Sequence, residues 1–261
     1  MKRAYLLLRS GIIWAVSLLH FAVGALLLLL VAVFVDPRKS DPLQRFFARN
    51  IMRLAGVRLR VSRAPGFDPS RTSIFVTNHV NIFDPFVLYS AIPQFVRGWE
   101  LESHFKIPIY GWLMKRFGNV PVPDQKGPGG LRRLVQRTKE SLDNGTSLIV
   151  FAEGGRTTDG RVKPFQPGIF RMLRDLEYPL VPVSMVGSFE FNRKGSYLLR
   201  PSTIVVHLHD TIETKGLSEQ EREALCDRVQ QLVSAPVDAA FGPSPKPVTA
   251  DPSRVTRANA G

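Results

Sequence analysis

Between Gly11 and Val35 the chain runs for 25 residues without a charged side chain. As a helix rising 1.5 Å per residue that is about 37 Å, enough to cross the hydrocarbon core of a bilayer. Such a segment is either a membrane anchor or a secretory signal. Lys2 and Arg3 imitate the basic start of a signal, but the run is longer than an h-region and ends VAVFVDPRKS, with no small-residue cleavage site. The expectation is an uncleaved anchor.

The segment after the anchor is basic. Residues 37–63 carry Arg38, Lys39, Arg45, Arg49, Arg53, Arg58, Arg60 and Arg63 against one acid, Asp41. Leu43, Phe46, Phe47, Ile51 and Leu54 recur at helical spacing there, and Arg45, Arg49 and Arg53 form an i, i+4, i+8 stripe. That pattern predicts a helix over 42–56 lying in the membrane interface against anionic lipid, with a surface helix of the globular domain as the alternative. The larger basic excess after the anchor puts the C-terminal side on the cytoplasmic face of the inner or plasma membrane. Over the whole chain 35 Lys and Arg face 22 acids, and 44% of residues are hydrophobic, too many for a disordered polycation. The chain therefore folds and favours an anionic partner: nucleic acid, a membrane or a phosphorylated substrate. Cys226 stands alone, which excludes an internal disulfide and any multi-cysteine metal site.

At 261 residues the chain has room for one large domain plus an appendage. From about Val57, β-rich runs at 58–63, 73–78, 94–99, 119–123, 147–153, 180–187 and 203–210 alternate with helical patterns at 86–92, 107–117, 130–144 and 168–176. Alternation of this kind predicts an α/β sheet covered by helices. Ser218 and Glu221 form a capping box for a last helix to about Ser234. The expected organisation is membrane-anchoring helices over 1–56, an α/β domain over 57–241, and a disordered, proline-rich tail over 242–261.

Two clusters carry chemistry. In Asn78-His79-Val80-Asn81-Ile82-Phe83-Asp84-Pro85 a strand delivers an imidazole to the sheet edge, where α/β sheets build their sites. Asp84 there is either the N-cap of the next helix or a carboxylate folded back onto His79, fixing its tautomer for general-base work. Spacing alone leaves both open. In Phe151-Ala152-Glu153-Gly154-Gly155-Arg156-Thr157 two glycines allow close backbone approach and an arginine can grip phosphate, although a Gly-Gly turn with flanking charges is more often only a turn. No GxSxG, GxxxxGK[ST] or HExxH motif is present.

The order of these pieces resembles the membrane-bound glycerolipid acyltransferases, in particular the 1-acylglycerol-3-phosphate acyltransferases. NHVNIFD (78–84) is similar to the family's NHxxxxD block, FAEGGRT (151–157) to FPEGTRS, VPV (181–183) to the strand block after it, and DGRVKPFQPGIFRM (159–172) to the stretch between. The resemblance covers about Ser73 to Asp210. It implies a mixed sheet flanked by helices with an N-terminal membrane-anchoring segment. It also implies an acyl thioester donor, coenzyme A or acyl carrier protein, a lysophospholipid acceptor, and no metal or other cofactor. His79 and Asp84 are then the catalytic pair, with Glu153, Gly154, Gly155 and Arg156 holding the acceptor and Arg156 on its phosphate. The family's GxIFIDR block departs here to Gly118-Asn119-Val120-Pro121-Val122-Pro123-Asp124, so its arginine is missing, and Lys126 is the expected substitute. Glu102 stands where a lysine is usual. These changes keep another lysolipid, such as an acylated amino acid, open as acceptor.

The remaining polar residues read as structural. His207 and His209 share one side of a strand taken as a half-solvated edge, with no third metal ligand. His20 faces a neighbouring helix, Trp14 faces lipid or the second helix, and Cys226 is buried. Two rival classes stand beside the enzyme: a non-enzymatic protein bound to anionic membrane, and a membrane-tethered nucleic-acid binder for which no motif speaks.

Overall fold

The computed structural model describes residues 2–124 and 127–241; Lys126 and the tail at 242–261 lie outside them. Helix α1 (Lys2–Phe34) and helix α2 (Asp41–Leu54) lead into strand β1 (Val57–Arg63). Then come β2 (Ile74–Thr77), α3 (Asp84–Ala91), β3 (Val96–Leu101), a 3-10 turn (Glu102–Lys106), α4 (Tyr110–Phe117), β4 (Val120–Val122) and α5 (Pro128–Asp143). The remainder is β5 (Ser147–Phe151), α6 (Pro167–Asp175), β6 (Leu180–Val186), α7 (Ser188–Phe191), β7 (Ser202–Leu208) and α8 (Glu219–Phe241). The strands form one sheet in the order β1-β7-β6-β2-β5-β3-β4, in which only β6 and β7 run antiparallel.

Alternate residues of the central strands feed two cores. Phe75, Ile149, Val181 and Val183 meet α2 and α3 on one face, while Ile74, Val76, Leu148 and Val150 meet α5, α6 and α8 on the other. All four residues of β2 are buried, as a strand covered on both faces requires. Pro121 is tolerated because β4 is an edge strand. Strand β7 is not an edge: it lies between β1 and β6, which corrects the half-solvated edge expected for His207 and His209. His209 Nε2–H donates to Ser184 Oγ (2.8 Å), whose single proton goes to the Val233 carbonyl (2.8 Å) of α8. Burial, with His207 beside it, pulls the His209 imidazole below its ordinary pKa. The Ser218–Glu221 box caps α8 as expected, but the helix continues past Ser234 through Pro236 to Phe241.

Helix α1 lies along the domain for most of its length. Ser10, Ile13, Ser17, Gly24 and Ala32 face inward, while Leu8, Ile12, Leu19, Leu26 and Leu30 are exposed. A Cβ on Gly24 would come within 2.7 Å of the Phe47 ring, so glycine permits the close crossing of α1 and α2. His20 packs on Phe47 as well, with ring centroids 5.3 Å apart. Trp14 corrects the lipid-facing reading: its ring lies 5.4 Å from Phe83, and its N–H donates to the Tyr197 carbonyl (2.8 Å). Arg116 Nε–H closes the far end of α1 on the Ala32 carbonyl (2.8 Å).

Helix α2 is a helix of the domain at its first turns. Arg45 is buried and donates to Asp41 (2.5 Å), to the carbonyls of Tyr89 (2.9 Å) and Gln94 (2.6 Å), and to that of Ile92. It saturates the carbonyl end of α3 instead of facing lipid, and the expected basic stripe reduces to Arg49 and Arg53. Removing a buried, paired charge leaves Asp41 and three carbonyls short of donors. Arg45→Ala is therefore expected to cost about 3 kcal/mol or more of stability, and Arg53→Ala, fully outside this network, less than about 0.5 kcal/mol. Equal unfolding midpoints for the two variants in detergent would contradict this placement.

Candidate active site

Where β2 ends at Thr77, the Asn78 side chain extends its pairing with β6: Nδ2–H donates to the Met185 carbonyl (3.0 Å) and Oδ1 accepts the Met185 N–H (2.8 Å). The backbone is thereby freed to turn. The turn is closed by Asn81 Oδ1, which accepts the Phe83 N–H at 2.8 Å.

Helix α3 is capped at Phe83, and the Asp84 carboxylate turns back instead of capping it. Asp84 Oδ2 accepts His79 Nδ1–H (2.8 Å) and the N–H groups of Val80 (2.6 Å) and Asn81 (2.9 Å); Oδ1 accepts the Ser188 hydroxyl (2.8 Å). This geometry decides between the two readings left open by spacing. The carboxylate is fully buried, and four converging donors suit only the ionised, acceptor-only form. His79 therefore carries a proton on Nδ1, and in the neutral ring the lone pair sits on Nε2, the nitrogen that faces away from Asp84. The ring stacks on Phe151 at 3.9 Å and keeps 19% side-chain exposure, so Nε2 is reachable.

The second cluster locks onto the first through the peptide groups of residue 79. Glu153 Oε1 accepts the His79 N–H (2.8 Å), and the Thr157 N–H donates to the His79 carbonyl (2.8 Å). Glu153 Oε2 accepts the Lys163 N–H (3.1 Å). Glu153 is buried with both oxygens engaged, which corrects the expectation that it holds the acceptor: it joins the two loops from beneath. Burial pushes its pKa up to about 7, against the pull of the two N–H donors and the Lys163 charge.

Gly154 sits at φ +68, where a Cβ would also press on the Gln166 side chain at 2.9 Å. Gly155 is not so confined, its nearest neighbour being Lys163 Nζ at 3.8 Å from a built Cβ, so the threonine usual in the family would fit. Lys163 Nζ donates to the Gly155 carbonyl (2.9 Å). Arg156 is half-buried and makes no hydrogen bond or ion pair among the described residues, so its guanidinium is available.

Lys126 lies outside the described residues. Around its segment Asp124 accepts the Ser103 hydroxyl (2.8 Å) and Glu102 approaches Arg137 (3.8 Å). Three contributors escape a reading of the sequence. Phe151 is the floor under His79, Ser188 is the fourth donor to Asp84, and Lys163 braces the glycine loop. Only Phe151 has a local signal, as the last residue of an apolar strand. No three His, Cys, Asp or Glu side chains gather as a metal centre among the described residues.

The site is thus a carboxylate-backed histidine at the carboxyl end of a central strand of a mixed sheet, clasped by a Glu-Gly-Gly-Arg loop. The family model described as Acyltransferase matches residues 58–186. The chloroplastic 1-acyl-sn-glycerol-3-phosphate acyltransferase of Brassica napus is 28% identical over 162 residues, 62% of this chain and 45% of that one. The human 1-acyl-sn-glycerol-3-phosphate acyltransferase alpha is 26% identical over 190 residues, 71% of this chain and 66% of that one. The chain thus spans about half the length of the Brassica relative. The crystal structure of the 1-acyl-sn-glycerophosphate (LPA) acyltransferase PlsC from Thermotoga maritima has the same fold, with a TM-score of 0.77 at 22% identity over 94% of this chain and all of that one. In sequence and in fold the chain is similar to the glycerolipid acyltransferases.

The raised pKa of Glu153 has a thermodynamic consequence. Its ordinary value is 4.5, so folding favours the protonated form, and the stability this contributes is complete below about pH 4.5 and lost as pH rises through about 7. Relative to Glu153→Gln, which does not titrate, the native protein should lose up to about 3 kcal/mol across that window, at about 1.4 kcal/mol per pH unit. Unfolding curves of both proteins from pH 4.5 to 8 measure it; a constant difference would contradict the burial-driven shift.

Proposed function

We propose that the chain transfers a fatty acyl group from an acyl thioester to the hydroxyl of a lysophospholipid, 1-acyl-sn-glycerol-3-phosphate being converted to phosphatidic acid. The observation that carries this reading is the free Nε2 of a histidine whose Nδ1–H is held by a saturated, buried carboxylate. Nε2 removes the acceptor's hydroxyl proton as that oxygen attacks the thioester carbonyl. The imidazolium is stabilised by Asp84. The tetrahedral adduct collapses by breaking the C–S bond, and the proton on Nε2 passes to the leaving thiolate. Both substrates are consumed without a covalent enzyme intermediate. Arg156 reaches the acceptor phosphate.

Helix α1 is long and apolar enough to cross a membrane, with a mean hydropathy of 2.6 over its most apolar window. Its outer face, with Phe46 of α2, Trp112 of α4 and the neighbouring Ile109 also exposed, gives the acyl chains a hydrocarbon surface beside the histidine loop. The basic side chains of Arg49, Arg53, Arg58, Arg60 and Arg63 suit the anionic cytoplasmic surface of that membrane. A second acceptor, an acylated amino acid, is favoured by one observation: Asp124 and Glu102 stand at the ends of β4 and β3 where the family's cations are expected.

Assays with acyl-CoA or acyl carrier protein as donor, and lysophosphatidate and an N-acyl amino acid lysolipid as acceptors, test both. His79→Ala should lower the rate by roughly 10²–10⁴ in a folded protein. Asp84→Asn should lose much of the same activity, and the double variant should be little worse than either single one. Multiplying losses would return Asp84 to a purely structural role, and a fully active His79→Ala would end the acyltransfer reading.

Arg156→Ala should weaken acceptor use about 10- to 150-fold, the worth of a charge-assisted hydrogen bond of about 1.5–3 kcal/mol. Donor KM should move far less. Arg156→Lys should recover part of the loss, since a point charge lacks the bidentate fork. A defect confined to the donor would move phosphate recognition to Lys126 or another basic side chain.

A further inference from the structure

We infer that Ser188 is a positioning residue of the catalytic pair, acting through Asp84. This rests on the acyltransfer reading above. Three of the four donors to Asp84 come from its own loop, and all three converge on Oδ2. Oδ1 has one partner, the Ser188 hydroxyl at 2.8 Å, supplied from the end of β6 at a sequence separation of 104.

The direction of that bond is set by its surroundings. Asn81 Oδ1 accepts the Phe83 N–H, which fixes the amide so that Nδ2 donates. The two Nδ2 hydrogens are shared among three acceptors, the Ser188 carbonyl (2.8 Å), the Ser188 Oγ (3.1 Å) and the Asn192 carbonyl (3.2 Å). Oγ accepts from Asn81, and because the Asp84 carboxylate can only accept, the one hydroxyl proton of Ser188 goes to Asp84 Oδ1.

The backbone delivers the hydroxyl by a route that tolerates little change. Strand β6 ends at Val186, and Gly187 turns the chain at φ +91 into α7. A Cβ at Gly187 would fall 2.2 Å from the Thr203 carbonyl oxygen of β7, so the corner needs glycine. Ser188 is 1% exposed and Asp84 is 0% exposed, so bulk solvent does not reach this hydrogen bond.

The consequence is orientational. A carboxylate held only at Oδ2 can swing about its Cβ–Cγ bond; one held at both oxygens keeps Oδ2 aimed at Nδ1. Ser188 thus holds the acceptor that holds the base, while Glu153 holds the His79 N–H from the β5 side.

The test is a double-mutant cycle on the full chain in detergent, with acyl-CoA and lysophosphatidate. Ser188→Ala should lower kcat about 10- to 100-fold with both KM values within about twofold. Ser188→Thr, which keeps the hydroxyl, should recover most of the rate. In an Asp84→Asn background Ser188→Ala should cost less than about twofold more, because the group it orients is already disabled. Should Ser188→Ala not fold, Ser188→Cys, close in size but a weak donor, carries the same comparison. Wild-type kcat in the Ala or Cys variant, or an equal further loss on the Asp84→Asn background, would overturn the inference. A wild-type protein without transfer activity would instead overturn the reading on which it rests.

Discussion

A carboxylate stripped of all solvent must be saturated with donors or it will not stay charged, and the burial of Asp84 imposes that requirement on the molecule around it. Satisfying it bends residues 79–83 into a loop whose Val80 and Asn81 N–H groups point inward, leaves Phe83 as the cap of α3, and draws Ser188 in from the end of β6. The same loop leaves the N–H of His79 without a partner on its own side. Glu153 takes it, and with it the whole second cluster is brought against the first. One desolvated charge therefore accounts for the tautomer of the base, the cap of a helix and the approach of two loops separated by about seventy residues.

Much of this is legible in the sequence because it is local. The β-rich runs and their spacing locate all seven strands to within a few residues, and the two motifs fall at strand ends, as a sheet with sites at its carboxyl edge demands. Spacing cannot show partnership across the sheet. Strand order is a non-local property, so β7 reads as an edge although β1 pairs with its outer side. Arg45 reads as lipid-facing for the same reason: an i, i+4, i+8 stripe looks identical whether its charges meet phosphates or the carbonyls that end α3. Ser188 comes after a short strand block with nothing in its neighbours to mark it, and its role exists only once β6 lies beside β2.

Local strain is equally hidden. The helical pattern over 107–117 begins as a helix only at Tyr110, because Ile109 adopts φ 64 with the Tyr110 N–H bonded back to the Pro108 carbonyl (2.7 Å). That is a γ-turn, costly for a β-branched residue. Its result is visible: Ile109 points outward, exposed, at the edge of an apolar cavity of about 280 Å³ between α1 and α4 that Phe21, Ala25 and Leu29 also line. Just beyond Ile109, Gly111 packs so closely on Phe105 that a Cβ there would fall 2.1 Å from the Phe105 carbonyl oxygen.

The contact of Trp14 with Phe83 ties these observations together. Phe83 is the joint between the turn that presents His79 and the helix that begins at Asp84, and its ring lies between Trp14 of α1 and Phe191 of α7. Trp14 is in turn fixed by its N–H to the Tyr197 carbonyl, while Arg9 donates to the nearby Leu199 carbonyl and Ser10 accepts the Leu199 N–H. Helix α1 thus has two faces with different duties. Its inner side packs closely on α2 at Gly24 and reaches the histidine loop through Trp14, and its outer face is apolar along the span. If bilayer covers that outer face, as proposed, the Trp14–Phe83 contact joins the membrane helix directly to the loop carrying the base. The histidine would then be set relative to the hydroxyls of lysolipids in the same leaflet, and an anchor joined by a flexible linker could not do this.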